Sequence, residues 1–132
     1  MRLLLDTHIW LWSLLEPERL HPKVALALED PNNQLWISPF STWEAMILAE
    51  KRRIQLLPDA VSWIQEVFNT VPFQEAPCNH QVAIQSRLVD LPHQDPVDRF
   101  LAATALVYNL TLVTADERLI KSRKIPLLIN KS

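Results

Sequence analysis

No glycine occurs among the 132 residues. Any turn that needs a positive φ therefore falls to asparagine, the next most tolerant residue, and Asn32-Asn33, Asn69 and Asn109 are the candidates. A single cysteine, Cys78, excludes an internal disulfide, and no CxxC or His/Cys cluster surrounds it to suggest a zinc site. A cytoplasmic location suits such cysteine usage best. No apolar run approaches the roughly 20 residues that cross a bilayer, so no membrane-spanning helix is expected. The opening MRLLLDTHIWLWSLL has the look of a signal peptide, but Asp6 and His8 interrupt it and no small-residue cleavage site follows. Positive charge is scarce too: 13 Lys+Arg against 15 Asp+Glu leave a formal charge of -2. A nucleic-acid ligand would need bound cations or a local basic patch to offset that balance.

What is present is an ordinary soluble composition. Hydrophobic residues make up 48% and charged residues 21%, enough in 132 residues for one domain with its own core. Arg2 to Leu5 reads as a buried strand, followed by a helix over Thr7 to Leu15 that Pro17 ends. A second helix is expected over His21 to Glu29 with Val24, Leu26 and Leu28 buried, then a strand over Leu35 to Ser38. A longer helix from Pro39 or Ser41 to Arg53 and another from Pro58 to Asn69, with Val61, Ile64, Val67 and Phe68 on one face, form a predicted hairpin. A short strand over Val71 to Gln74 and a helix over Asn79 to Leu88 come next. Asp95 to Tyr108 is the clearest helix, with Pro96 early and Asn109 as a left-handed cap. A strand over Leu110 to Thr114, a short helix over Asp116 to Lys121 and a strand over Ile125 to Ile129 close the chain. Strands alternating with helices imply an α/β fold with a mostly parallel sheet covered on both faces.

Four acids stand out within this frame. Each has a local explanation as a helix cap: Asp6 before the first helix, Glu44 third in a capping box that begins at Ser41, Asp98 three residues after Asp95, and Asp116 inside the box Thr114 to Glu117. Their joint placement says more. Asp6 and Asp116 each follow a buried strand directly, at the carboxyl edge where open α/β sheets bind ligands. Glu44 shares a helix face with Ile47 and Leu48, and Asp98 with Leu101, Ala102 and Ala105, so both lean inward. Several inward carboxylates repel one another and raise one another's pKa unless a cation neutralises them. Oxygen donors without His or Cys select a hard ion, Mg²⁺ or Mn²⁺, and such an ion supports phosphodiester hydrolysis.

The segments that carry these acids resemble the PIN-domain ribonucleases, in particular the toxins of bacterial VapBC-type toxin-antitoxin modules. Leu4 to Trp10 (LLDTHIW), Ser38 to Glu44, Leu91 to Arg99 and Leu112 to Asp116 match in order and approximate spacing, over nearly the whole chain. The resemblance implies a PIN-like α/β/α sandwich, metal-dependent endoribonuclease activity, inhibition by a cognate antitoxin protein, and a homodimer. It also implies that Asp6, Glu44, Asp98 and Asp116 are the catalytic and metal-site residues, flanked by the hydroxyls of Thr7 and Thr114. Two positions depart from the glycine often found in relatives: Asn109 and the turn around Lys51-Arg52-Arg53.

Other residues have weaker claims. A packing role is the ordinary reading of His8, His93 and Arg99, although each neighbours the matched segments, and Arg99 could pair with Asp95 or with a phosphate. Lys51 to Arg53 and the run Lys121, Arg123 and Lys124 are the best places for RNA backbone contact. Trp10, Trp12, Trp36, Trp43 and Trp63 read as core or interface, and Trp12 with the 39–69 hairpin could line a groove for an antitoxin helix. The competing reading is a PIN-like binding module without catalysis, or the same acids acting on DNA or small phosphoesters.

Overall fold

The computed structural model describes residues 1–92, 94–120 and 125–131, so His93 and the run Lys121, Arg123 and Lys124 lie outside the described residues. Five strands, β1 (Arg2–Leu5), β2 (Gln34–Ile37), β3 (Gln74–Glu75), β4 (Thr111–Thr114) and β5 (Leu127–Ile129), form one parallel sheet in the order β3-β2-β1-β4-β5. Between them run α1 (Thr7–Leu15), α2 (Pro22–Glu29), α3 (Pro39–Glu50), α4 (Ala60–Thr70), α5 (His80–Leu88), α6 (Pro96–Tyr108) and α7 (Glu117–Ile120). Parallel neighbours require a crossover, and these helices supply it.

Alternation along the central strand builds the two layers. Leu3 and Leu5 pack with Ile9, Trp10, Ile37, Ile64, Val67 and Val113 on the face covered by α1 to α4. Leu4 points the other way, to Leu112, Leu101, Ala102 and Ala105 under α6. All three leucines of β1 are fully buried, each contributing about 2 kcal/mol by area removed from water. Trp10 is the largest of the fully buried side chains, ringed by Phe68 at 5.7 Å, Trp63 at 6.3 Å and Phe73 at 6.4 Å between centroids.

The expected α/β/α sandwich is therefore the fold, with local corrections. Leu26 and Val61 are exposed: Leu26 lies two residues from Val24, and residues two apart point to different sides of a helix. Trp43 also faces solvent rather than the core. The third strand sits at Gln74–Glu75 instead of Val71 to Gln74, because its ladder pairs Trp36 with Gln74 and Ile37 with Glu75. Of the asparagines expected at positive φ only Asn109 (φ 54°) adopts it, and the other left-handed residue among the described residues is Arg52 (φ 57°). At both places the chain closes a helix: Leu110 N–H reaches Ala105 O at 2.9 Å, and Arg53 N–H reaches Leu48 O at 2.9 Å while Arg52 N–H reaches Ala49 O at 3.0 Å. The second pair forms a Schellman closure, a geometry usually made by glycine.

The strand order has one further consequence. The chain builds outward from β1 through β2 to β3, then returns to the other side of β1 for β4 and β5. The carboxyl ends of β1 and β4 therefore border the crevice where the direction of winding reverses, the usual ligand position in such sheets.

Candidate active site

Asp6 and Asp116 reach this crevice from neighbouring strands. Leu5 pairs with Val113 across β1 and β4, and Asp6 N–H donates to Val113 O at 3.0 Å, so the ladder runs one residue past the end of β1. Asp6 is thereby set beside Thr114. Its carboxylate makes no cap bond to α1; Oδ2 accepts from the buried Thr114 hydroxyl at 2.7 Å. Asp116 stands two residues on, its N–H bonded to Thr114 Oγ1 at 3.0 Å, and its Oδ1 accepts from Arg118 N–H at 2.9 Å. Asp116 thus caps α7 itself, in place of the expected Thr114 to Glu117 box.

Glu44 arrives by a different route. α3 starts at Pro39, capped by the Ser38 hydroxyl, which accepts from Phe40 N–H at 3.1 Å, so no capping box begins at Ser41. Ser41 is buried instead and accepts a 3.0 Å hydrogen bond from the Thr7 hydroxyl. One bond thus ties the start of α3 to the residue after Asp6, and Glu44, three residues further along the same face, is carried to the acid.

Asp98 comes from the opposite layer. Asp95 caps α6 as expected, accepting from Val97 and Asp98 N–H at 3.0 and 3.4 Å, which places Asp98 in the first turn, 6% exposed. Stacking of Phe40 on Phe100, 4.2 Å between ring centroids, joins α3 to α6 over the sheet edge.

All four predicted acids line one cavity of about 220 Å³, together with His8, Trp12, Asp95, Ala115 and Arg118. A larger hollow of about 780 Å³ lies between the end of α3 and residues 52–60, but the acids are gathered in the smaller one, and chemistry rather than volume marks the site. A third cleft of about 340 Å³ adjoins the acid cavity through His8 and Trp12 and is lined further by Leu11, Leu15, Arg19, Leu48, Arg53 and Ile54.

The electrostatics are those of crowded carboxylates. Burial pushes the Asp6 carboxyl from its ordinary 3.8 up to about 6, with Glu44 adding to the rise while Thr114 and His8 oppose it. Burial, then the charges of Asp116, Asp6 and Asp95, lift Asp98 to about 8 against the pull of Arg118. Asp116 goes the other way: burial raises it, but the hydrogen bonds from Arg118 outweigh burial and hold it below the usual range.

Arg118 and Asp95 are the site residues that sequence reasoning missed, Asp95 having been read as a cap and as a possible partner of Arg99. Arg118 Nη2 lies 3.0 Å from Asp98, 3.1 Å from Asp116 and 3.5 Å from Asp95. An arginine two residues after the last acid was the available signal. Arg99, in contrast, is 5% exposed and turns its guanidinium to backbone carbonyls of Ser86, Val89 and Leu91, a structural role. His8 is exposed at the rim, its ring 5.8 Å from that of Trp12.

The acids of the cavity offer oxygen donors, with His8 at the rim; burial and neighbouring carboxylates push two of them toward protonation, and a cationic head already lies among three of them. These residues fit a hard divalent ion in charge and chemistry. As the side chains stand, no three His, Cys, Asp or Glu among the described residues are gathered closely enough to hold one; Asp95, Asp98 and Asp116 converge on Arg118 instead. Among the described residues, no helix is long and apolar enough to cross a membrane.

The geometry has counterparts in known proteins. The PIN domain profile matches residues 3–125. Ribonuclease VapC22 of Mycobacterium tuberculosis is 35% identical over 119 residues, 88% of each chain. Among solved structures, VapBC2 of Rickettsia felis bound to a DNA fragment from its promoter superposes with a TM-score of 0.70 at 18% identity over 98% of both chains. A toxin-antitoxin complex from Klebsiella pneumoniae gives 0.68 at 19% over 97% of both; at such identities the likeness speaks to the fold. With a profile match over nearly its whole length and a relative at 35% identity, the chain belongs to the PIN-domain family, among its VapC-type members.

Proposed function

We propose that this chain, as a single PIN domain, is a Mg²⁺- or Mn²⁺-dependent endoribonuclease and the toxin of a toxin-antitoxin module. The observation that carries the reading is the convergence of Asp6, Glu44, Asp98 and Asp116, from four separate elements, on one small cavity at the sheet's switch point. The ribonuclease name of the 35% identical relative supports RNA as substrate.

Asp6, Glu44, Asp98 and Asp116 would hold the ion, which when bound activates water and offsets charge on the phosphate. The reaction adds water to phosphorus and breaks one P–O bond to a ribose oxygen. Thr114 fixes the Asp6 carboxylate, and the Thr7–Ser41 bond fixes the approach of Glu44, so the donor set is held by packed elements rather than loops. Arg53 and Arg19 in the adjoining cleft provide cationic contact for the RNA backbone in a chain of net negative charge.

The apolar part of that cleft, Leu11, Trp12, Leu15, Leu48 and Ile54, suits the apolar face of an antitoxin helix. The neighbouring VapBC and toxin-antitoxin complexes support an antitoxin partner. A twofold homodimer in the cytoplasm completes the reading.

Cleavage of total cellular RNA by the wild type, Asp6→Asn and Asp98→Asn, with Mg²⁺, with Mn²⁺ and with EDTA, tests it. Cutting by the wild type alone and only with metal is expected, the variants losing activity by about 100-fold or more. Inertness of folded wild-type protein on RNA with metal would favour a catalytically inactive binding module, and hydrolysis of DNA or small phosphoesters instead would reassign the substrate.

A further inference from the structure

Arg118 is placed as an ion would be. Its Nη2 atom has two protons to donate, yet three carboxylate oxygens from three residues, Asp95, Asp98 and Asp116, lie within 3.5 Å of it. A guanidinium usually meets carboxylates edge-on in a fork, one oxygen to each N–H. Arg118 meets Asp116 in this way, Nη2 standing 3.1 Å from Oδ2, but the same Nη2 is also shared with Asp98 at 3.0 Å and Asp95 at 3.5 Å, so its charge stands inside a cradle of acids. Nε, at 3.3 Å from Asp116 Oδ1, and the backbone N–H of Arg118, at 2.9 Å from the same oxygen, complete the hold on Asp116.

The two ends of the interaction differ in burial. The Asp98 side chain is 8% exposed, whereas that of Arg118 is 52% exposed. The cationic head enters the cavity from solvent on a half-exposed stem and meets the buried Asp98 at its wall. A magnesium ion binds carboxylate oxygen at about 2.0–2.1 Å. Nη2 stands 3.0 Å from Asp98 Oδ2 and 3.1 Å from Asp116 Oδ2, so an ion taking those oxygens as ligands would be in contact with it, and two cations in contact in a partly dry cavity repel strongly.

We propose that the Arg118 guanidinium and a divalent cation are alternative occupants of the Asp98–Asp116 cradle, Arg118 holding the acids when no ion is bound and swinging to solvent when one enters. The inference rests on the metal-nuclease reading above. Arg118 then sets the ion concentration at which the site loads, and it keeps Asp98 and Asp116 together in the metal-free protein.

The test measures Mn²⁺ and Mg²⁺ affinity by calorimetry on metal-free wild type, Arg118→Ala and Arg118→Lys, without RNA, each checked for folding by circular dichroism. Removal of the competing cation is expected to tighten ion binding roughly tenfold in Arg118→Ala, the scale of one or two charge-assisted contacts to a half-exposed group, with Arg118→Lys in between. In the wild type, the Arg118 Nε–H NMR resonance should move toward that of a free arginine on titration with Mg²⁺. Equal or weaker affinity in Arg118→Ala, or a resonance that stays in place as the ion binds, overturns the inference and leaves the nuclease reading standing. Failure of all three proteins to bind either ion overturns both.

Discussion

The hydroxyl of Thr114, the last residue of β4, donates a 2.7 Å hydrogen bond to the carboxylate of Asp6, the first residue after β1. Both groups are buried, 0% and 6% exposed, so the bond stabilises the charged form of a carboxylate that burial disfavours. Thr114→Val keeps the shape and removes the donor. It is expected to destabilise the protein by about 2 kcal/mol at pH 7, the scale of a buried bond to a charged group, and to push the Asp6 pKa further up. Urea unfolding checks the first part, with Thr114→Ser retaining most of the stability; wild-type stability in Thr114→Val would count against it.

Stability without metal should fall as pH rises. Asp6 has its folded pKa raised to about 6 from 3.8, so between those values the folded state binds more protons than the unfolded one. The group's favourable contribution is complete below pH 4 and is lost as pH climbs through 6. At about 1.4 kcal/mol per pKa unit this comes to roughly 3 kcal/mol. Asp98, raised to about 8, extends the decline to more alkaline pH. Melting temperatures of metal-free protein at pH 5 and pH 8 should therefore drop, Asp6→Asn should lessen the drop, and added Mg²⁺ should offset it. A melting temperature that rises over that range in both proteins contradicts the sign.

Arg99 should matter for folding rather than for chemistry. Its guanidinium donates to Ser86 O at 2.8 Å, Val89 O at 3.0 Å and Leu91 O at 3.2 Å, joining α6 to the end of α5 and the residues after it. Arg99→Ala is expected to cost about 3 kcal/mol or more, since three buried carbonyls lose their partner. Lysine cannot reproduce the fork, so Arg99→Lys should recover only part of the loss in denaturant titration. Full rescue by lysine would show that charge alone is needed.

Stability should also respond to changes at Trp10. Its ring is fully buried among aromatic neighbours, while Nε1 is buried with no hydrogen-bond partner among the described residues. Trp10→Phe removes that unmet donor along with some volume, and the two effects oppose each other, so a loss of no more than about 1.5 kcal/mol is expected. Trp10→Ala leaves a cavity and should cost about 3–5 kcal/mol. Thermal unfolding of the two variants separates the cases; equal losses would mean that Nε1 finds a partner in solution.

The parts of the site that sequence alone made legible are those governed by local physics. A run of leucines followed by Asp6, and Leu112-Val113-Thr114 followed by Asp116, mark strand ends because chain direction and burial period are local. Asp95 with Pro96 and Asn109 bound α6 for the same reason, since caps and left-handed residues act within one turn. The PIN resemblance added the four-acid set and the fold. What stayed hidden depends on which elements meet. Ser41 looks like a cap in sequence, but the contact with Thr7 makes it the tie that brings Glu44 to Asp6. Trp43 and Leu26 look like core, yet point outward because helix phase is set by what lies beneath the helix. Arg118 is an ordinary surface arginine until α6 places Asp98 and Asp95 against α7. Local spacing determined where the acids sit on their elements, and only the tertiary structure decided that they share a cavity and which cation stands among them, because electrostatic energy depends on distances in space and not on separation along the chain.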